Sequence, residues 1–216
     1  MLTRKSILAA ALLVAGTGAA QAGVISTTFS SGTTTEVANA MTYDFNVGLP
    51  IGYYGAGAVL TGSISGISAQ PAGDNTPFLS VAYPNQSGTE TYVASPGHTY
   101  NYFGLYWGSM DDYNSLSFYN GNQLIGTVTG SDVIATGAQL GDQMSAGSNR
   151  FVNFFLEGGA TFDKIVFSTT NYAFESDNHA FATVPEPGTL ALTLAAIGGL
   201  FLLRRRRPID AAPSAA

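Results

Sequence analysis

The sequence predicts an all-β protein whose folded part, residues 23–183, is a single β-sandwich of the jelly-roll type. Three observations support this class. The segment is rich in Gly, Ser, Thr, Asn, Tyr and Phe, and no stretch of it shows helical periodicity. Short alternating or aromatic-rich runs recur along it, broken by Gly, Asn and Pro. Eleven such runs at short spacing are typical of two antiparallel sheets packed face to face.

Each candidate strand is a run of β-branched, aromatic or alternating residues bounded by turn-forming residues. In chain order the candidates are residues 24–29, 40–47, 58–64, 78–82, 91–94, 102–107, 115–119, 123–128, 151–156, 161–168 and 174–182. The Gly- and Pro-containing segments at residues 48–57 and 70–77 are predicted to be loops.

Two hairpins are predicted among these strands. Residues 115–119 and 123–128 flank an Asn-Gly-Asn sequence, and these residue types tolerate the positive φ of a tight turn. A second hairpin is predicted between residues 151–156 and 162–167, because only the short Glu-Gly-Gly-Ala sequence separates the two runs.

The charge balance disfavours anionic partners. Six of the eight basic residues and two of the fourteen acidic ones lie outside residues 23–183, so this segment keeps two basic and twelve acidic residues, a net charge of −10. Such a charge disfavours nucleic acid and anionic lipid and is compatible with calcium or a neutral polysaccharide. The chain has no cysteine, so disulfides, thiol nucleophiles and cysteine-bound metals are excluded.

The N-terminus has the pattern of a secretory signal peptide over residues 1–22. Two basic residues precede an apolar stretch at residues 7–15, and Ala20 and Ala22 form a small-x-small site. Signal peptidase is therefore expected to cleave before Gly23. An N-terminal membrane anchor is the alternative, but the apolar stretch is short for one.

The C-terminal part of the chain combines three features in a fixed order. They are the tetrapeptide Val184, Pro185, Glu186 and Pro187, the uncharged residues 189–203, and the basic residues Arg204, Arg205, Arg206 and Arg207. As a helix, the uncharged stretch would measure roughly 22 Å, against a hydrocarbon core of about 30 Å. Arginines favour the cytoplasmic side of a membrane. One transmembrane helix is therefore predicted, with residues 208–216 as a cytoplasmic tail; an ordinary single-pass anchor is the alternative.

This order of tetrapeptide, short apolar helix and arginine cluster resembles the PEP-CTERM sorting signal of Gram-negative bacteria. The resemblance covers residues 184–207. It implies recognition by exosortase, a membrane cysteine protease, with processing near Pro-Glu-Pro. The precursor is then expected to be held in the inner membrane before it reaches the cell surface or the extracellular matrix. Residues 208–216 make the tail longer than is usual for such signals.

A second resemblance covers roughly residues 100–183. The sequences at residues 103–119, 162–167 and 173–178 are similar to one family of exosortase-dependent surface proteins of cyanobacteria and proteobacteria. This resemblance implies placement at the cell surface and no defined biochemical activity.

Oxygen-bearing side chains at two places suggest a structural calcium ion. Asp111, Asp112 and Asn114 lie in a predicted loop, and Asp177 and Asn178 lie near the end of the folded part. Calcium prefers carboxylate and carbonyl oxygens. The final Phe-Glu-Ser-Asp-Asn run is similar to the last strand of several jelly-roll carbohydrate-binding modules, which makes Asp177 the first ligand expected. Capping of turns by these side chains is the alternative.

Aromatic residues at presumed strand ends suggest a platform for sugar rings. Strict alternation along residues 102–107 places Tyr102 and Tyr106 on one face and Phe103, Leu105 and Trp107 on the other. The second set is the expected core set, so Tyr102 and Tyr106 are the platform candidates.

Catalysis is not expected from this sequence. Gly-x-Ser-x-Gly, His-Glu-x-x-His and phosphate-loop motifs are absent, and His98 and His179 are isolated. The favoured function is a structural or adhesive component of the exopolysaccharide or biofilm matrix. A calcium-dependent carbohydrate-binding module is the alternative, and a secreted glycan-active enzyme is the third possibility.

Overall fold

Two antiparallel sheets make up nearly all of the regular structure. The structure, a computed structural model, describes residues 24–185. Its elements are β1 (Ile25–Ser30), β2 (Met41–Tyr43), β3 (Tyr53–Gly55), β4 (Gly57–Leu60), β5 (Phe78–Val81), β6 (Gly88–Val93), β7 (Tyr102–Gly108), β8 (Asn114–Asn120), β9 (Gln123–Thr129), α1 (Gly130–Val133), β10 (Arg150–Leu156), β11 (Lys164–Thr169) and β12 (Phe174–Ala182).

The larger sheet has seven strands and the smaller has five. The strand order is β1-β10-β7-β12-β5-β4 in the larger sheet, where β2 also pairs with β12, and β3-β6-β11-β8-β9 in the smaller. The last strand, β12, therefore lies in the middle of the larger sheet. It pairs with β7 on one side and with β5 and β2 on the other.

The predicted strands and one predicted hairpin are present. Each of the eleven candidate runs has a counterpart, and β8 and β9 pair as an antiparallel hairpin, as predicted. The structure adds β3, which lies in the predicted loop of residues 48–57.

The predicted hairpin between residues 151–156 and 162–167 is wrong. Strand β10 pairs with β1 and β7 in the larger sheet, whereas β11 pairs with β6 and β8 in the smaller one. Side chains of both strands meet in the same core, Phe154 from β10 and Phe167 from β11 among them. The intervening loop therefore carries the chain from one layer to the other.

The core between the sheets is aromatic, and β7 supplies its centre. Phe103, Leu105 and Trp107 point into it, as the alternation predicts, and Trp107 packs on Phe174 with ring centroids 4.6 Å apart. Tyr102 and Tyr106 point to the opposite face of the sheet, where they form a second buried cluster.

This second cluster is covered by chain from outside the sheet. Val37 and Ala40 pack against it, so β7 is buried on both faces. Gly104 leaves the space that the cluster needs, because a Cβ there would collide with the Tyr102 hydroxyl and the Phe151 ring.

Some predictions lie outside the described residues. These are the signal peptide with Ala20, Ala22 and Gly23, the motif residues Glu186 and Pro187, the apolar stretch 189–203, Arg204, Arg205, Arg206 and Arg207, and residues 208–216. Across residues 24–185 the structure contains no helix with the length and apolar character to span a bilayer.

Candidate functional site

A polar pocket of about 580 Å³ opens at the end of the sandwich where β12 begins. The loop between β4 and β5 forms one wall, and the segment that follows β7 forms another. Its lining includes several serine hydroxyls, the carboxyls of Asp111 and Glu175, and the side chain of Tyr113. The pocket thus offers hydrogen-bond donors and acceptors side by side.

Glu175 is the buried acid of this pocket, with 2% of its surface exposed. Its Oε1 accepts a hydrogen bond from the backbone N–H of Ala69 (2.8 Å), and its Oε2 accepts one from the Ser109 hydroxyl (3.1 Å). No cation lies among these contacts. Burial raises the pKa of Glu175 to about 8, so the side chain is mainly a neutral acid at pH 7.

Asp111 is the second acid of the pocket and is only partly buried. The Tyr113 hydroxyl lies 2.5 Å from Asp111 Oδ2 and 2.8 Å from the carbonyl oxygen of Tyr172. Burial raises the pKa of Asp111, while the Tyr113 hydrogen bond opposes that shift. Two carboxyls and several hydroxyls in one cavity are suited to a neutral, hydroxyl-rich ligand, which needs both donors and acceptors.

A second cluster of polar side chains lies further along β12. Asn178 adopts a positive φ of 53°, and the pairing of β12 with β7 shifts register between Asp177 and Ala180. The backbone N–H of Asn178 donates to Asp177 Oδ1 (2.6 Å), and the Thr76 hydroxyl lies 2.8 Å from Asp177 Oδ2. A bulge in the central strand therefore turns a carboxyl toward the loop of residues 70–77.

Asp74 is the partner of Asp177 that the sequence did not reveal. The Thr76 hydroxyl lies 2.5 Å from Asp74 Oδ1, and Asn178 Nδ2 donates to Asp74 Oδ2 (3.3 Å). Burial, together with the charge of Asp74, raises the pKa of Asp177 to about 7. All four carboxylate oxygens of the two aspartates have a hydrogen-bonding partner.

The residues predicted to bind calcium belong to these two separate clusters. Asp111 contacts Tyr113, the Asn114 amide donates to the carbonyl of Ala173 (3.0 Å), and Asp112 is exposed. Asp177 and Asn178 instead contact the loop of residues 70–77. Within residues 24–185, no group of three or more His, Asp or Glu side chains is arranged to hold a metal ion. Calcium binding stays a prediction for each cluster.

The predicted sugar platform is corrected by burial. Tyr102 is fully buried and Tyr106 is 6% exposed, so neither ring offers a free face for stacking. The Tyr102 hydroxyl donates to Asn153 Oδ1 (2.8 Å), and that of Tyr106 donates to the carbonyl of Ala72 (2.5 Å). The Tyr102 hydroxyl also lies 2.5 Å from the Thr35 hydroxyl, so both tyrosines connect covering segments to the larger sheet and present no free ring to solvent.

His179 is held inside the core. Its Nδ1 lies 2.7 Å from the Tyr53 hydroxyl and its Nε2 lies 2.9 Å from the Ser176 hydroxyl, while Phe167 stacks on its ring. Burial lowers the pKa of His179 to about 3, so the imidazole is neutral at pH 7. Both ring nitrogens are occupied by structural partners.

The comparison with known families identifies the segment that follows β12. Residues 183–207 match the family described as the PEP-CTERM protein-sorting motif. The chain therefore carries this motif, as its sequence predicts. The motif implies a secreted surface protein that is processed by exosortase. No curated protein matches the chain.

Two solved structures show a distant similarity. One is an exo-β-1,3-galactanase from Phanerochaete chrysosporium solved with β-1,3-galactotriose (20% identity, 67% of this chain, 29% of that chain, TM-score 0.36). The other is the Agl-KA catalytic domain (11% identity, 73% of this chain, 30% of that chain, TM-score 0.37). The chain spans less than a third of either structure, and neither similarity bears on activity.

Proposed function

We propose that the protein is an exosortase-sorted surface protein that serves as a structural or adhesive component of the extracellular polysaccharide or biofilm matrix. One observation carries this proposal. The sorting motif begins at residue 183, directly after β12 ends at Ala182, so no linker separates the sandwich from its sorting signal in the sequence. The net negative charge of the sandwich agrees with a soluble surface that does not attract anionic lipid.

Replacing Pro185, Glu186 and Pro187 with alanines is expected to leave an unprocessed, membrane-held precursor, because these residues are the Pro-Glu-Pro sequence of the sorting motif that the protease is expected to recognise. Immunoblots of membrane and culture fractions would measure this in a host that carries exosortase. Alanines at Pro208, Ile209 and Asp210 are the matched control, because these residues lie outside the matched motif. Normal processing of the first variant would contradict the proposal.

A carbohydrate-binding module is the second candidate, and the polar pocket favours it. Asp111 and Tyr113 lie at its wall, where a sugar hydroxyl can exchange hydrogen bonds with both. The double substitution Asp111→Ala and Tyr113→Phe is expected to weaken binding of the producing organism's exopolysaccharide at least tenfold, because each lost hydrogen bond costs about 1 kcal/mol. Calorimetry, with calcium and with chelator, would measure it.

The control for the pocket is Tyr54→Ala, which removes a ring that is 62% exposed on β3, outside the pocket. If the double variant and Tyr54→Ala bind the polysaccharide with the same saturable heat, the ligand binds elsewhere on the sandwich. Loss of the heat in chelator would indicate calcium-dependent binding, and Asp177→Asn would then test the second cluster. Release of reducing ends from the polymer would indicate a glycan-active enzyme instead.

A further inference from the structure

The first residues of the sorting motif are bound to the sandwich by the side chain of Asn101. The backbone N–H of Val184 donates to Asn101 Oδ1 (2.7 Å), and Asn101 Nδ2 donates to the carbonyl of Val184 (2.7 Å). The amide side chain thus satisfies both backbone groups of Val184, as a neighbouring strand would.

Asn101 is itself fixed between two strands of the larger sheet. Its backbone N–H donates to the carbonyl of Ala182 (3.3 Å), and its carbonyl accepts from the N–H of Leu156 (2.8 Å). The side chain that holds Val184 therefore projects from a backbone that is hydrogen-bonded to the ends of both β12 and β10.

Two further contacts hold the same segment. The Thr183 hydroxyl donates to the carbonyl of Thr99 (3.1 Å), and the half-buried Val184 packs against the buried cluster of Tyr102 and Tyr106. The first two residues of the motif matched at residues 183–207 therefore contact the sandwich, whereas Pro185, the last residue that the structure describes, is exposed.

A protease that binds its substrate as an extended strand needs the backbone N–H and C=O groups beside the cleavage point. Those of Val184 cannot bond to Asn101 and to a protease at once. We propose that Asn101 is a positioning residue that restrains Val184 in the folded precursor and thereby slows its processing. This inference rests on the proposed exosortase processing.

The test compares full-length chains in a host that carries exosortase, by pulse–chase of the precursor. Asn101→Ala removes both hydrogen bonds and is expected to be processed roughly tenfold faster. Two bonds of this kind, at about 1 kcal/mol each, favour the bound segment over the released one by at least about that factor. Asn101→Asp keeps the acceptor for the Val184 N–H and is expected to fall between Asn101→Ala and the wild type.

The control is Asn120→Ala, which removes another side-chain amide that bonds a carbonyl, that of Thr161 (3.0 Å), away from the motif. Hydrogen exchange provides a second readout in the purified protein. The Val184 amide is expected to be protected in the wild type and to exchange faster in Asn101→Ala, while the amides of β7 and β12 keep their protection.

The outcomes distinguish a failure of the proposed restraint by Asn101 from a failure of the proposed exosortase processing. Faster processing of Asn101→Ala with a selective loss of protection at Val184 supports the restraint. An unchanged or slower rate, or an unprotected Val184 amide in the wild type, overturns it. If the alanine variant of Pro185, Glu186 and Pro187 is also processed normally in this assay, the proposed processing itself has failed.

Discussion

Replacing Phe103 with alanine is expected to lower the free energy of unfolding by about 4 kcal/mol, within the range for deleting a buried phenylalanine ring. The ring is fully buried at the centre of the core. Its centroid lies 5.0–6.1 Å from the rings of Phe118, Phe154, Phe167, His179 and Phe181. These neighbours come from both sheets, whose backbone pairing prevents them from closing the cavity.

Urea unfolding of residues 24–185, followed by tryptophan fluorescence, would measure the loss. Tyr54→Ala is the control, because it removes an aromatic ring that is mostly exposed, and we expect it to cost less than about 1 kcal/mol. A loss below about 1 kcal/mol for Phe103→Ala would show that the two sheets can collapse onto the vacated space, in conflict with the packing described above.

The second large effect is a dependence of stability on pH that comes from buried acids. Glu175 and Asp177 have pKa values raised by burial to about 8 and about 7, well above those of the same residues in an unfolded chain. The folded protein therefore binds more protons than the unfolded chain at neutral pH. Its stability is largest at lower pH and falls as the pH rises through these values.

His179 acts in the opposite direction, but in a different range. Its pKa falls to about 3 on burial, so the stability that its neutral form provides above about pH 6.5 is lost as the pH drops toward 3. The opposing slope from the histidine fades within about one pH unit above pH 6.5, because the side chain is then neutral in both states. The carboxyl effect therefore dominates the range from pH 6.5 to 8.5.

Across that range the free energy of unfolding is expected to fall by about 3 kcal/mol, of which Glu175 accounts for about 2, since each unit of pKa shift corresponds to 1.36 kcal/mol. Glu175→Gln keeps the shape and the acceptor for Ala69 and removes the titration. We therefore expect it to reduce the fall to about 1 kcal/mol. Urea unfolding at several pH values would measure the slope.

Glu157→Gln serves as the matched control, because Glu157 is exposed in the loop after β10 and should leave the slope unchanged. A Glu175→Gln protein whose stability falls as steeply as that of the wild type would show that Glu175 is already ionised in the fold.

The positions of the strands follow from the sequence, but the pairing of two strands follows from it only where a tight turn connects them. The hairpin of β8 and β9 is specified locally by its Asn-Gly-Asn turn. The connection after β10 also contains glycine, at two positions, yet it links a strand of the larger sheet to a strand of the smaller one. Since β10 is buried on both faces, its apolar pattern does not show which neighbours it has.

The candidate site depends on contacts between segments that are distant in sequence. The alternation correctly predicts that Tyr102 and Tyr106 point away from the core between the sheets. It does not predict that residues 35–40 cover the outer face on which they lie. Asp74 reaches Asp177 only because its loop folds over the bulge in β12. The sequence indicates this site only through two carboxyls, Glu175 and Asp177, within a run that otherwise has the pattern of a buried strand.

The central position of β12 also constrains when the protein can fold. In a chain that is delivered N-terminus first, β7 and β5 emerge long before the strand that separates them, and the larger sheet stays open until Ala182 is free. Non-local pairing of this kind is slow, and β5 and β7 lack their shared neighbour until β12 is present. Because the sorting motif follows Ala182 directly, the larger sheet becomes complete only when the chain up to the start of that motif is present.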